Sequence, residues 1–299
     1  MLYVQEFAYG PVTAVLSYVV ASLGVLLGLR AATRARACHG ASRVRWLLLA
    51  GVCLGGIGVW AMNFTGLLGL AIAGETTRYS VPVTVASLLL GVLTMTAGLL
   101  LIGYSGEAPG PLVAGSLVAG LGVTFSQYLG IAAIRMPVRV SYDPALAMVS
   151  VAIAIVAASG VLWAALRLRQ VWATVGTALL LGIAVSAAHY TGTAALNVTA
   201  AAGPAGMVLG GGGGATVASY MLPVTLGVSA ASFLVWAAVA LAPTEDAIRY
   251  DAALLAHIDR RSQLPLDAQP AVPPRDDRQV ASGAPPWTFA ELRRPPGPR

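Results

Sequence analysis

His189 is the only histidine in the longest uncharged part of the chain, between Gln170 and Thr244, and Tyr190 and Thr191 follow it directly. An imidazole can donate and accept hydrogen bonds and can ligate a metal, so its surroundings decide which it does. Two other segments place an amide where this one places the imidazole. GIGVWAMNFTGLLGL from Gly56, GLGVTFSQYLGIAAI from Gly120 and GIAVSAAHYTGTAAL from Gly182 align without a gap. Each starts with Gly, has Val three residues later, and reaches Asn63, Gln127 or His189 at the eighth position. An aromatic residue comes next (Phe64, Tyr128 or Tyr190), and Gly66, Gly130 or Gly192 stands three residues beyond the polar one. The polar positions lie 64 and 62 residues apart, about one helical hairpin with its loops. Such a repeat presents neutral hydrogen-bonding groups at matched places.

Helices must carry these residues. At about 100° per residue, the Gly seven before the polar residue, the Val four before it and the Gly three after it fall within about 80° of it. Small residues on one stripe let transmembrane backbones approach, and an amide or imidazole there bonds across helices. Each polar residue stands toward the C-terminal end of its segment, so the three are expected to meet at similar depth.

The setting is a membrane. Of the 299 residues, 57% are hydrophobic and only 10% charged, against about 25% charged in a soluble domain. Seven uncharged runs reach the roughly 20 residues that a bilayer requires: Val12–Leu29, Trp46–Ile72, Val81–Gly103, Pro111–Ile134, Ala145–Leu166, Trp172–Leu196 and Tyr220–Leu241. The expected fold is therefore all-α, with seven transmembrane helices and the repeat in the second, fourth and sixth. All 18 basic residues are Arg, and arginine concentrates on the cytoplasmic side. Arg30, Arg34, Arg36, Arg43 and Arg45 fall between the first two runs, Arg167 and Arg169 between the fifth and sixth, and Arg249, Arg260 and Arg261 after the last. The opposite loops hold only Arg78, Arg135 and Arg139. This predicts an outside N-terminus, a cytoplasmic C-terminus and a multi-pass protein of a bacterial inner membrane. Cys38 and Cys53 then face a reducing compartment and are expected to stay unpaired. Tyr128 and Tyr190 suit an interfacial aromatic belt, and Arg135 and Arg139 suit contact with headgroups or another anion.

The order Ala188-His189-Tyr190-Thr191-Gly192, repeated in weaker form twice upstream, resembles the bacterial MHYT domain family, named for a Met-His-Tyr-Thr motif in alternate transmembrane helices. The resemblance covers roughly Gly10 to Pro243. It implies an integral-membrane sensory module, often fused to cytoplasmic signalling domains, with copper as the proposed cofactor and a diatomic gas as the proposed signal. This chain departs from the motif at its chemistry. The first repeat reads Met62-Asn63-Phe64-Thr65, the second Ser126-Gln127-Tyr128-Leu129, and the third has Ala188 for Met. The further Met expected after the motif glycine is Leu67, Ile131 and Thr193. Of the ligand set implied by the family, Met62 and His189 remain, a poor site for copper(I). Asn63, Gln127, His189, Tyr190 and Thr191 then form a polar cluster that joins helices or binds a small ligand.

Other classes fit less well. A transporter usually carries ionisable residues within the membrane, and these runs contain no Asp, Glu, Arg or Lys. No catalytic constellation or phosphate-binding loop is present, so no enzyme is expected, and nothing points to nucleic acid. Gly210–Gly214 reads as a flexible linker. Residues 1–243 form the membrane domain and 244–299 a tail, with a short helix over Thr244–Arg261 and a Pro- and Arg-rich disordered remainder. Its lipid bilayer apart, the expected partner is a cytoplasmic signalling protein met through that tail. A structural or partner-binding membrane protein without a ligand is the alternative, and a small-solute transporter follows it.

Overall fold

The computed structural model describes residues 4–5, 11–68, 71–72, 78–105, 109–135, 138–200, 215–241 and 253–256. The chain divides into two units, Met1–Pro243 and Thr244–Arg299. In the second unit residues 253–256 are helical; the rest of the expected tail helix, the expected disorder after it and the Gly210–Gly214 linker lie outside the described residues.

Long apolar runs fold as helices because a bilayer offers no partner to an open backbone N–H or C=O. Among the described residues, six helices are long and apolar enough to cross a membrane: α1 Val12–Ala37, α2 Gly40–Leu67, α3 Val81–Ser105, α4 Pro109–Ala132, α5 Pro144–Arg167 and α6 Val171–Ala194. A further helix, α7 Val217–Leu241, contains the shorter apolar stretch Leu226–Leu241. Helix α5 has the clearest start. Asp143 Oδ1 accepts from the Ala145 and Leu146 N–H groups at 2.8 and 3.1 Å, and Pro144 occupies the first turn, where no donor is missed.

Neighbouring helices pack in chain order from α2 to α6, and α1 closes the ring between α2 and α6. Helix α2 is the most buried, and α7 packs against α1 and α2 through Val235 and Val239, which meet Leu27, Cys53 and Ile57. Close backbone approach holds the ring together. A Cβ on Gly24 would overlap Gly58, and one on Gly98 would lie 3.0 Å from the Gly115 carbonyl oxygen.

The ends of the helices differ from the sequence expectation. The loop between α1 and α2 is only Cys38 and His39, followed by Gly40 at φ +56°, a left-handed turn that glycine adopts without strain. Arg30, Arg34 and Arg36 therefore belong to α1, and Arg43 and Arg45 to α2, not to a loop. Three of these arginines donate to carbonyls at the ends of the other odd-numbered helices. Arg34 reaches the Val239 carbonyl of α7 at 3.2 Å, Arg36 the Ala165 and Leu168 carbonyls at the end of α5, and Arg43 the Gly103 carbonyl of α3. The last carbonyls of a helix have no partner within it, so these contacts satisfy groups that would otherwise be orphaned.

The opposite end carries short antiparallel strands that hydropathy did not foretell. β1 Val4–Gln5 pairs with β2 Ala71–Ile72. β3 Arg78–Tyr79 pairs with both β4 Ile134–Arg135 and β7 Ala215–Thr216. β5 Val138–Tyr142 pairs with β6 Leu196–Ala200, so the runs expected to end at Ile72, Ile134 and Leu196 leave the helix early.

Candidate functional site

The three polar positions of the repeat come to one buried layer. Asn63, Gln127 and His189 are 5%, 5% and 1% exposed, on α2, α4 and α6. The repeat glycines seat two of them. A Cβ on Gly66 would overlap the His189 imidazole at Nε2, and one on Gly192 would overlap the Gln127 side-chain nitrogen. The first repeat thus receives the third, and the third receives the second. The remaining pairing is open: a Cβ on Gly130 would meet only Ser87 Oγ, at 3.9 Å. Asn63 is shorter than the other two side chains.

Beside this layer lies a cavity of about 20 Å³, room for a water-sized molecule. Val59, Val123 and Val185 line it, and these are the repeat valines four residues before Asn63, Gln127 and His189. Asn63, Gln127 and Met95 also border it. So does Ala188, at the position where the MHYT motif has Met. The predicted stripe therefore faces the interior in all three helices.

The repeat is less regular at its start. Val52–Ala61 of α2 is π-helical, a rare geometry that is frequent at functional sites. Its slower winding moves the close approach one residue along. A Cβ on Gly120 would lie 2.6 Å from the Ile155 Cα of α5, and one on Gly182 would overlap Ser22 of α1. In α2 it is Gly55 that meets α3, at Gly91, whereas a Cβ on Gly56 would sit in ordinary contact, 3.4 Å from the Val92 side chain. Assuming uniform α-helical winding hid this shift.

Hydrogen bonding around the layer is uneven. Gln127 donates its side-chain N–H to the His189 carbonyl oxygen at 3.3 Å, joining α4 to α6. The imidazole makes no such bond: among the described residues neither Nδ1 nor Nε2 has a partner, although both are buried. Its ring stands edge-on to Tyr190, with centroids 5.0 Å apart. Ser186 Oγ, one turn earlier on α6, is also buried without a partner. Tyr190 is not a belt residue, because its hydroxyl bonds Ser17 of α1 at 2.9 Å. Tyr128 likewise turns inward to Ser150 of α5 at 2.9 Å, with its ring edge-on to Tyr142. Each hydroxyl finds a partner on the neighbouring helix and so need not reach the interface. Thr191 is half-buried, and its carbonyl accepts from the Ala195 N–H at 3.2 Å.

The donors present do not fit copper. Met62 is 1% exposed but does not line the cavity. Ser126, in the second motif's Met position, donates its hydroxyl to the Ser87 carbonyl at 2.7 Å. Ala188 offers only a methyl group. Of the motif's ligand positions one thioether and one imidazole remain, and the thioether that borders the cavity is Met95, outside the motif, whereas copper(I) requires several soft ligands together. Among the described residues no group of three or more His, Cys, Asp or Glu side chains converges. What the cavity can do is bond a small neutral molecule through the Asn63 and Gln127 amides; among the described residues no charged side chain lines it. Sequence reasoning missed Ser17, Ser150, Ser186 and Met95 because they lie outside the repeat or look like ordinary helix residues.

Comparison with known proteins places these features. The MHYT family, described as the bacterial signalling protein N-terminal repeat, matches residues 56–115 and 120–178. The bifunctional diguanylate cyclase/cyclic di-GMP phosphodiesterase MucR of Pseudomonas aeruginosa is 34% identical over 194 residues, 63% of this chain and 28% of that protein. The cyclic di-GMP phosphodiesterase NbdA of the same organism is 31% identical over 205 residues, 67% of this chain and 26% of its own length. An uncharacterized signaling protein of Caulobacter vibrioides is 29% identical over 177 residues, 58% of this chain and 21% of its length. The chain thus spans about a quarter of the length of these curated relatives. No solved structure matches it. With two repeats matched in tandem and a third polar position in the same buried layer, the chain belongs to the MHYT family of membrane sensory and signalling domains.

Proposed function

We propose that this chain is the input module of a bacterial inner-membrane signalling system, and that its input site is the layer formed by Asn63, Gln127 and His189. Helix α7 is its seventh crossing. The end carrying the short strands faces outward with the N-terminus, and the arginine-capped end and the tail face the cytoplasm. The arginine distribution supports this orientation. The signal is a small neutral molecule taken up beside the layer, not a copper-bound gas. It favours one packing of α2, α4 and α6 because it binds that packing better than the other. The chain performs no reaction itself. Its output passes to a cytoplasmic partner that makes or degrades cyclic di-GMP, the chemistry named for two of its relatives.

One observation carries this reading. The equivalent polar positions of three repeats are all buried, Asn63 and Gln127 line one cavity, and among the described residues the His189 ring nitrogens have no partner. A layer serving only to glue helices would satisfy its groups internally. The test is a chimera in which residues 1–243 replace the matched membrane segment of MucR, with cyclic di-GMP measured in cells. His189→Ala and Gln127→Ala should each shift the nucleotide level at equal chimera abundance. An identical level in both variants and the parent chimera would refute the proposal.

A further inference from the structure

The strand-bearing end holds a second polar feature, apart from the three polar positions of the repeat. In β3 and β4, Arg78 stands directly opposite Arg135 in the antiparallel register. Opposed residues project from the same face, with Cβ atoms about 4.5–5.5 Å apart, and like charges so placed repel. The register is fixed from the other face. Tyr79, next to Arg78, is 1% exposed, and its ring packs 5.4 Å from that of Phe64 on α2. Because side chains alternate along a strand, burying Tyr79 turns Arg78 outward, where it is exposed. The packing beneath therefore sets two arginines opposite each other in the register.

Arg135 is held in place. Its Nη2 donates to Ser80 Oγ at 3.2 Å, and the Ser80 N–H donates to the Ala133 carbonyl at 2.8 Å. Its Nε is buried and, among the described residues, has no partner. One edge of the guanidinium fork is thus anchored while another donor is left unused. Helix α3 begins at Val81, immediately after Ser80, and adds the positive end of its dipole to the same place. Asp143, the acidic residue described at this end, already caps α5.

We propose that Arg78, Arg135 and the start of α3 form a binding site for a phosphate-type oxyanion. An oxyanion between the two arginines offsets their repulsion and accepts from the exposed Arg78 guanidinium and from the remaining Arg135 Nη, the kind of charged hydrogen bond that arginine favours. The phosphate can belong to a lipid headgroup of the adjoining leaflet or to a free anion. The site leans on Phe64 of the first repeat but uses none of Asn63, Gln127 or His189, so its binding test stands apart from the proposed input function.

The test uses the full chain in phosphate-free maltoside micelles. One arm titrates inorganic phosphate by calorimetry. The other adds short-chain phosphatidylglycerol and measures retained lipid by native mass spectrometry. Wild-type protein should bind in at least one arm. Arg78→Gln and Arg135→Gln should weaken that binding about tenfold or more, as expected for loss of a charged hydrogen bond. Arg169→Gln, at the opposite end, should leave it unchanged. Binding in the calorimetric arm identifies a free anion, and binding only in the lipid arm identifies a headgroup. Arg78 is exposed, so its variant still reports if Arg135→Gln fails to fold. Absence of binding by wild type in both arms, or equal binding by wild type and Arg78→Gln, would overturn the proposal.

Discussion

The three repeat glycines, equivalent in sequence, should respond differently to the same substitution. In Gly192→Ala the new methyl overlaps the Gln127 side-chain nitrogen, which donates to the His189 carbonyl. Gln127 is 5% exposed and enclosed, so it can move only by leaving that carbonyl. Overpacking of this kind costs about 1–3 kcal/mol, and the lost hydrogen bond adds about 0.5–1.5 kcal/mol. Gly66→Ala drives a methyl into the His189 ring, which has no partner to lose, so only the overpacking cost of about 1–3 kcal/mol applies. Gly130→Ala meets Ser87 Oγ at 3.9 Å, an ordinary contact. Alanine also favours helix over glycine by up to about 1 kcal/mol, so this variant should be neutral or more stable. Unfolding in maltoside micelles titrated with dodecyl sulfate measures all three. The order should be Gly130→Ala at or above wild type, then Gly66→Ala, then Gly192→Ala. Gln127→Ala should cost less in the Gly192→Ala background than alone, because the clash is then absent. Equal losses for the three glycine variants would show that the layer is not seated as described.

Other outcomes follow from the same geometry. Tyr190→Phe removes the 2.9 Å bond to Ser17 and should cost about 0.5–1.5 kcal/mol in the same assay. An impermeant maleimide should label Cys38 but not the fully buried Cys53, and only in inverted membrane vesicles; labelling of Cys38 from the outside would reverse the proposed orientation. Burial pushes the Tyr79 hydroxyl above its ordinary range. The folded protein therefore holds that proton more tightly than the unfolded chain, and stability should fall as pH rises above about 10, less steeply in Tyr79→Phe. Copper(I) loading followed by desalting should leave no stoichiometric metal on the protein; retained copper that His189→Ala abolishes would contradict the reading of the donor set.

Much of this protein is legible in one dimension. A bilayer imposes a length and an absence of charge on each span, so seven spans could be expected from runs of residues; six of them fall on described helices long and apolar enough to cross, with errors mainly at their ends, and the seventh falls on α7, whose apolar stretch is shorter. The repeat was legible for a related reason. A motif that must meet its copies inside a bundle keeps its spacing, and the Gly-Val-polar-Gly stripe named three valines and two amides that line the cavity. The ends were less legible. Charge halted the expected first span at Leu29, but α1 continues to Ala37 because Arg34 and Arg36 reach carbonyls of other helices. Strands of two to five residues carry no period to detect, and they depend on partners distant in sequence.

Sequence alone thus determined the class of the protein and its family, and it picked out three polar positions that are buried, since these follow from composition, spacing and helical period. Tertiary structure decided what each of these groups does. The same glycine seats an imidazole in one repeat and an amide in another, and stands open in the third. A π-helical stretch moves one close approach by a residue, and a buried tyrosine forces two arginines to face each other. Each outcome depends on which neighbour lies across the gap, and the packing of separate segments sets that distance.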